Sequence, residues 1–219
     1  MKGSTEGRRG RGSHPLFARF YYLLSGSAER AGTTGHRQEL LAGLTGTVIE
    51  LGAGNGLNFA HYPPGVRAVL AVEPDKFLRQ KAALAALRAP VPVHVVEGEA
   101  ESLPAEDTSL DAAVASLVLC SVPSPPRALA ELRRVLRPGG ELRFYEHVRS
   151  DTPEGARLQD RADVLWPFLG GGCHPNRDTV AAIAAAGFAI EEERRFAFRP
   201  SVLAAPVAPH VIGRARRTS

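Results

Sequence analysis

Seven residues, Glu50-Leu51-Gly52-Ala53-Gly54-Asn55-Gly56, follow directly on the apolar pair Val48-Ile49 and restrict what this chain can become more than any other stretch. An acid where a buried strand ends, followed by glycines on alternate positions, builds a turn whose backbone can approach a ligand closely before a helix begins. Such a turn belongs to an alternating strand-helix architecture with a nucleotide-type ligand. Dinucleotide sites use Gly-x-Gly-x-x-Gly or Ala, which aims a helix N-terminus at a pyrophosphate. Here the third place of that spacing is Leu57, and the glycines follow Gly-x-Gly-x-Gly. An acid at position 50 faces a pyrophosphate badly but attracts a cationic amino-acid group. Adenosine joined to a positive amino acid and a sulfonium, S-adenosylmethionine, meets both demands.

Candidate strands are 47–51, 67–73, 91–97, 110–116, 140–148, 187–195 and 205–213, with helices between the first six. Strands alternating with helices give a parallel sheet whose ligands lie at the strands' carboxyl ends. Ahead of them, Leu16, Phe17, Phe20, Tyr21 and Leu24 recur at helical spacing, and a second helix is expected near 36–42. Residues 1–14 read as a disordered basic tail, 15–213 as one domain and 214–219 as a second basic tail.

Composition excludes several function classes. The net charge of +4 has much of its excess in Arg8, Arg9, Arg11, Arg214, Arg216 and Arg217, and no aromatic residue interleaves with them to stack bases. Solvated tails are therefore expected, with no nucleic-acid partner. The apolar stretch 15–24 contains Arg19 and is too short to cross a bilayer, so a cytoplasmic protein without a stable membrane anchor is expected. Cys120 and Cys173 stand in separate segments without the spacing of a disulfide framework or a zinc site. No metal is expected, and a reducing compartment is.

Beyond the glycine loop, three further motifs occur in order. Ala68-Val69-Leu70-Ala71-Val72 runs into Glu73-Pro74-Asp75, Gly98-Glu99-Ala100-Glu101-Ser102-Leu103-Pro104 follows, and Arg134-Val135-Leu136-Arg137-Pro138-Gly139-Gly140 ends a helix sharply. Together the four motifs resemble the class I S-adenosylmethionine-dependent methyltransferases. The resemblance implies an α/β, Rossmann-like seven-stranded sheet, mostly parallel with an antiparallel last strand and helices on both faces. It implies a donor site made of Glu50, Gly52, Ala53, Gly54, Asn55, Gly56, Asn58, Glu73, Pro74, Glu99, Ala100, Glu101 and Leu117. In it Glu73 takes the two ribose hydroxyls, Glu99 the exocyclic amine of adenine and the Ala100 backbone its ring.

A narrower resemblance rests on Asn58-Phe59 with Tyr62-Pro63-Pro64-Gly65, on 117–122, on Glu146-His147-Val148, on Trp166 with Gly172-Cys173 and Arg177, and on Pro209-His210-Val211. These stretches resemble the methyltransferase-like proteins that methylate small aliphatic thiols. The resemblance implies a small-molecule acceptor in a pocket under the N-terminal helix, with Phe17, Tyr21, Tyr22, His61, Cys120, Trp166 and Arg177 as its candidate lining. His147 is the candidate base or thiol-orienting group; alternatively it packs beneath the pocket. A sulfonium is already an activated methyl donor, so alignment supplies much of the acceleration, and a thiol needs less help than a phenol.

Other readings are methylation at oxygen or carbon of an aromatic or quinone-like acceptor, and a non-catalytic nucleic-acid-binding protein on the same fold. A nicotinamide-dependent reductase is opposed by Leu57 and by the absence of a Tyr-x-x-x-Lys pair, since the lysines are Lys2, Lys76 and Lys81.

Overall fold

The structure, a computed structural model, describes residues 15–199 and 201–218. The expected tail over residues 1–14 lies outside them. Strands β1 (Gly46–Leu51), β2 (Val66–Val72), β3 (Val93–Val96), β4 (Leu110–Ser116), β5 (Leu136–His147), β6 (Phe188–Ala197) and β7 (Pro209–Arg217) form one sheet in the order β3-β2-β1-β4-β5-β7-β6. Pairing is parallel from β3 through β5, and β7 runs antiparallel between β5 and β6. This is the sheet the resemblance implies, but the helices expected between each of the first six strands are missing in two places: only a 3-10 turn, Phe59–His61, separates β1 from β2, and among the described residues no helix separates β3 from β4.

Helices α1 (Pro15–Ala28), α2 (Thr34–Leu41), α3 (Lys76–Ala86), α4 (Pro125–Val135), α5 (Pro153–Ala162), α6 (Trp166–Leu169) and α7 (Thr179–Ala185) complete the described elements, with short π and 3-10 turns between some of them. Side chains alternate across a strand, and the core divides accordingly. Ile49, Leu51, Ala113 and Ala115 pack with Leu129 and Leu132 of α4 and Ile183 of α7. Val48, Val69, Ala112 and Val114 face the other way, onto Leu40 and Leu41 of α2 and Ala82 of α3. The central strands, covered on both faces, are therefore near-continuous apolar runs. Each large aliphatic side chain buried here contributes about 1.5–3 kcal/mol.

Helix starts are specified locally. Asp75 caps α3, its Oδ1 accepting from the Phe77 and Leu78 amides at 2.9 and 3.0 Å. Thr152 caps α5 and Asp178 caps α7 in the same way.

The C-terminal assignment is corrected. The last strand was expected at 205–213 with a tail from 214, whereas residues 202–207 form a 3-10 turn and β7 extends to Arg217. The arginines are paired: Arg214 meets Glu192 at 2.7 Å, Arg216 meets Glu191, and Arg217 donates to the Leu136 carbonyl. A run of like charge that reads as a solvated tail is here one side of a cross-strand charge ladder. Its backbone is hydrogen-bonded to β5 and β6, and Ala215 between the arginines is buried.

Candidate active site

The glycine loop leaves β1 with Gly52 at φ +53°, Gly54 at +58° and Gly56 at +81°, all in the left-handed region. A Cβ on Gly52 would lie 2.5 Å from Val118, and one on Gly56 2.7 Å from Phe59. Only glycine permits both the backbone angle and the close approach.

Beside the loop lies a cavity of about 370 Å³. It runs along five strand ends: Gly52 and Gly54 after β1, Glu73 and Pro74 after β2, Glu99 to Glu101 after β3, Leu117 after β4, and His147 at the end of β5. Tyr21 of α1 and Trp166 of α6 close it from above. A second cavity of about 140 Å³ shares Tyr21, Leu117, His147 and Val207 with the first and reaches Tyr145 and His210.

Glu73 organises the first half. Its Oε2 accepts from the Gly54 amide at 2.7 Å and its Oε1 from the Asp75 amide at 2.8 Å, so the acid ties the glycine loop to the next strand end. Burial raises its pKa, against the pull of those two N–H bonds. Each carboxylate oxygen keeps lone-pair capacity on the cavity side. Glu101 accepts from the Ser124 amide at 3.0 Å, joining the segment after β3 to the start of α4.

Glu50 sits elsewhere than expected. Its carboxylate accepts from Asn58 Nδ2 at 2.9 Å and the Tyr62 hydroxyl at 2.6 Å, beneath the loop rather than on the cavity wall. Burial lifts its pKa to about 7, although both hydrogen bonds favour the ionised form. Arg37 completes the cluster, bonding Asn58 Oδ1 at 2.8 Å and Glu29 at 2.9 Å. Ala53, Asn55 and Gly56 also shape the loop from behind, Asn55 through Ser25 at 3.1 Å. The signal missed was Arg37, a buried cation in a helix of otherwise ordinary pattern.

Another buried acid, Glu146, organises the other half. Its oxygens accept from the amides of Val118, Leu119 and Cys120 at 3.0, 2.9 and 3.1 Å. Burial raises its pKa against these bonds. The clamp holds the loop after β4, where Leu117 takes φ +58°, a left-handed angle rare for a branched side chain and worth of order 1–3 kcal/mol in strain. Arg177, expected in the pocket, instead straps this loop by donating to the Leu119 and Val122 carbonyls at 2.9 and 2.8 Å.

The remaining expected pocket residues divide. Tyr21 covers Gly54, its ring 3.5 Å from where a Cβ would stand. Tyr22 packs edge-on against Phe77 at 5.7 Å with Lys81 over its ring, and does not line the cavity. Phe17 belongs to α1, and its side chain lies outside the described residues. His61 is on a 3-10 turn away from the cavity. Cys120 is buried behind the wall, and Cys173 forms part of the wall itself.

Cys120, His147 and Cys173 converge. His147 Nδ1 lies 3.5 Å from Cys120 Sγ and 3.3 Å from Cys173 Sγ, and the sulfurs are 3.7 Å apart. The contact with Cys120 and the neighbouring imidazole lower the Cys173 pKa, while Cys120 is driven up by the same contact and by burial. Burial alone would lower His147, but the Cys173 charge and contact outweigh it, and the net shift is upward. The three residues come from a β4 loop, the end of β5 and the loop after α6, and no linear motif joins them.

Comparison with known proteins agrees with this architecture. The methyltransferase domain family matches residues 49–144. Thiol S-methyltransferase TMT1B of Rattus norvegicus is 39% identical over 175 residues, covering 77% of this chain and 70% of that protein. Thiol S-methyltransferase TMT1A of Homo sapiens is 36% identical over 148 residues, 65% of this chain and 59% of that one. A putative methyltransferase of Bacillus halodurans C-125 shares the fold with a TM-score of 0.69 at 16% identity, covering 85% of this chain and 99% of that one. The chain is thus an S-adenosylmethionine-dependent methyltransferase by class. Within that class it belongs to the family of the thiol S-methyltransferases. Among the described residues no helix is long and apolar enough to cross a membrane.

Proposed function

We propose that the cavity holds S-adenosylmethionine across the five strand ends, and that the protein methylates the sulfur of a small apolar thiol. The observation that carries this reading is the continuity of one cavity from Glu73, at the end of β2, to His147 and Cys173, beyond β5. An acid, a glycine turn and an acidic-apolar segment along its length match ribose, amino-acid and adenine groups in turn. The donor supplies an activated methyl group on a sulfonium, so the chain has only to position an acceptor and exclude water.

Glu73 accepts the ribose hydroxyls while its N–H partners hold it in place. Glu99 and Ala100 meet the adenine, and the Leu117 turn faces the amino-acid end. Glu50 acts one step removed, by fixing the loop through Asn58 and Tyr62. Tyr21 and Trp166 close the site over the reacting atoms. His147, on the wall common to both cavities, orients the acceptor sulfur.

A thiol acceptor is supported by the names of the relatives and by the apolar lining from Val122, Trp166 and Val207 beside His147. The reading places the reaction in a reducing, cytoplasmic setting, where the acceptor and the protein's own two free cysteines stay reduced. Calorimetry tests the donor half: S-adenosylmethionine and S-adenosylhomocysteine bind, and NADH does not. No binding of the first two, or tighter binding of NADH, contradicts the proposal.

A further inference from the structure

We propose that Cys120, His147 and Cys173 form a three-ligand site for a zinc ion on the cavity wall, with the fourth coordination position open to the acceptor thiol. Sequence spacing gave no sign of a metal, because each ligand comes from a different segment. The fold brings one nitrogen and two sulfurs within 4.8 Å of one another.

The distances are those of a tetrahedral face. Zinc binds thiolate sulfur at about 2.3 Å and imidazole nitrogen at about 2.0–2.1 Å, which in tetrahedral geometry sets the sulfurs about 3.8 Å apart and each sulfur about 3.6 Å from the nitrogen. The observed edges are 3.7, 3.5 and 3.3 Å. Two soft thiolates with one imidazole select zinc over magnesium or calcium, and three protein ligands with one vacant position are the pattern of a catalytic rather than a structural zinc site.

The surroundings hold the ligands in place. Glu146 clamps the Cys120 amide, the Cys120 carbonyl accepts from the His174 amide at 2.8 Å, and Trp166 packs against the cluster that holds both cysteines. Arg177 is anchored on the same loop, where its cation would offset the charge that two metal-bound thiolates bring. Such outer contacts orient metal ligands and tune their basicity. His147 and Cys173 line the cavity while Cys120 lies behind them, so the open corner of the face points to where an acceptor enters.

The assignment of that corner to the acceptor rests on the thiol reading above; the metal site itself does not. An acceptor R–SH loses its proton to solvent as its sulfur binds the ion. Its sulfur electron pair then forms the new bond to the methyl carbon as the methyl–sulfonium bond breaks, that pair staying on the donor sulfur. The product is a neutral thioether, a weaker ligand than a thiolate, and it leaves. The ion thus supplies what the site otherwise lacks, a means of keeping the acceptor ionised near neutral pH.

The test uses the full chain purified under reducing conditions, reconstituted with zinc, freed of excess ion and assayed by plasma mass spectrometry. About one zinc per chain is expected, falling at least tenfold in Cys173→Ser. Cobalt(II) added to the zinc-free wild type should give thiolate charge-transfer and intense tetrahedral ligand-field bands, so the site is read even where a variant fails to fold. Addition of a small thiol should shift those bands without donor present. Sub-stoichiometric zinc with no cobalt spectrum, or a Cys120–Cys173 disulfide as the resting form under these conditions, overturns the site. Full thiol methylation by zinc-free enzyme overturns the role given to the fourth position. A cobalt spectrum that thiols do not move, in an enzyme that methylates no thiol, removes the acceptor assignment and leaves the metal site standing.

Discussion

The half of the cavity proposed to hold the donor and the half proposed to hold the acceptor, called here the donor and acceptor halves, are built differently. In the donor half, each group sits within a few residues of the strand end that presents it: Gly52 and Gly54 after β1, Glu73 after β2, Glu99 after β3. In the acceptor half, Cys120, His147, Trp166 and Cys173 come together from separate elements, held by Glu146 and Arg177 through backbone bonds. In each half a buried acid ties backbone amides together, Glu73 two and Glu146 three, and Glu50 braces the glycine loop from beneath as well. The first kind of site is written in local motifs; the second exists only once the sheet is assembled.

The largest expected effect separates the halves by affinity. Glu73→Ala should weaken donor binding by about 2–4 kcal/mol in calorimetry, through lost charge-assisted hydrogen bonds and a loosened Gly54 turn. Equal affinity in the variant would break the account of the donor half.

Next comes Glu50, whose acid is structural. Its pKa is about 7 in the fold against 4.5 ordinarily, with burial the main cause. The raised value means its contribution is whole below about 4.5 and is lost as pH rises through 7, by up to about 3 kcal/mol in total. Glu50→Gln removes that loss, so the stability of the variant relative to wild type, from urea unfolding, should rise between about pH 4.5 and pH 8. A pH-independent difference would show that the carboxylate is not desolvated.

Glu146→Gln should sharpen the comparison. It places an amide NH₂ group against backbone N–H donors and costs about 1–3 kcal/mol of stability, with turnover reduced more than donor affinity, since the clamped loop also carries Leu117. A large loss of donor affinity would mean that the halves are not separable. The smallest effect is expected from removing residues 1–12: donor affinity and thermal midpoint unchanged. Loss of donor binding would make that segment part of the site.

What was legible follows the same division. The sheet, the glycine turn and the position of Glu73 at a strand end could be read because strand ends and turns are local in sequence. Glu50 was read as a ligand group because position alone does not say that Asn58 and Tyr62 take both its oxygens. Arg177 was placed in the pocket for the same reason, and it spends its hydrogen bonds on two carbonyls. The convergence of Cys120 and Cys173, 53 residues apart, had no linear signal. The final strand was set too early because Arg214, Arg216 and Arg217 look like a tail until Glu191 and Glu192 of β6 are placed beside them.

The central claim is methyl transfer to a small thiol, and the most direct measurement is the initial rate with methyl-labelled donor across thiols, phenols and quinone precursors as a function of pH. The account predicts a labelled thioether from apolar thiols, with a rate that rises with pH until the bound acceptor is ionised and then levels. A rate with thiols that does not change with pH, or a clear preference for a phenol or quinone under the same conditions, would contradict it.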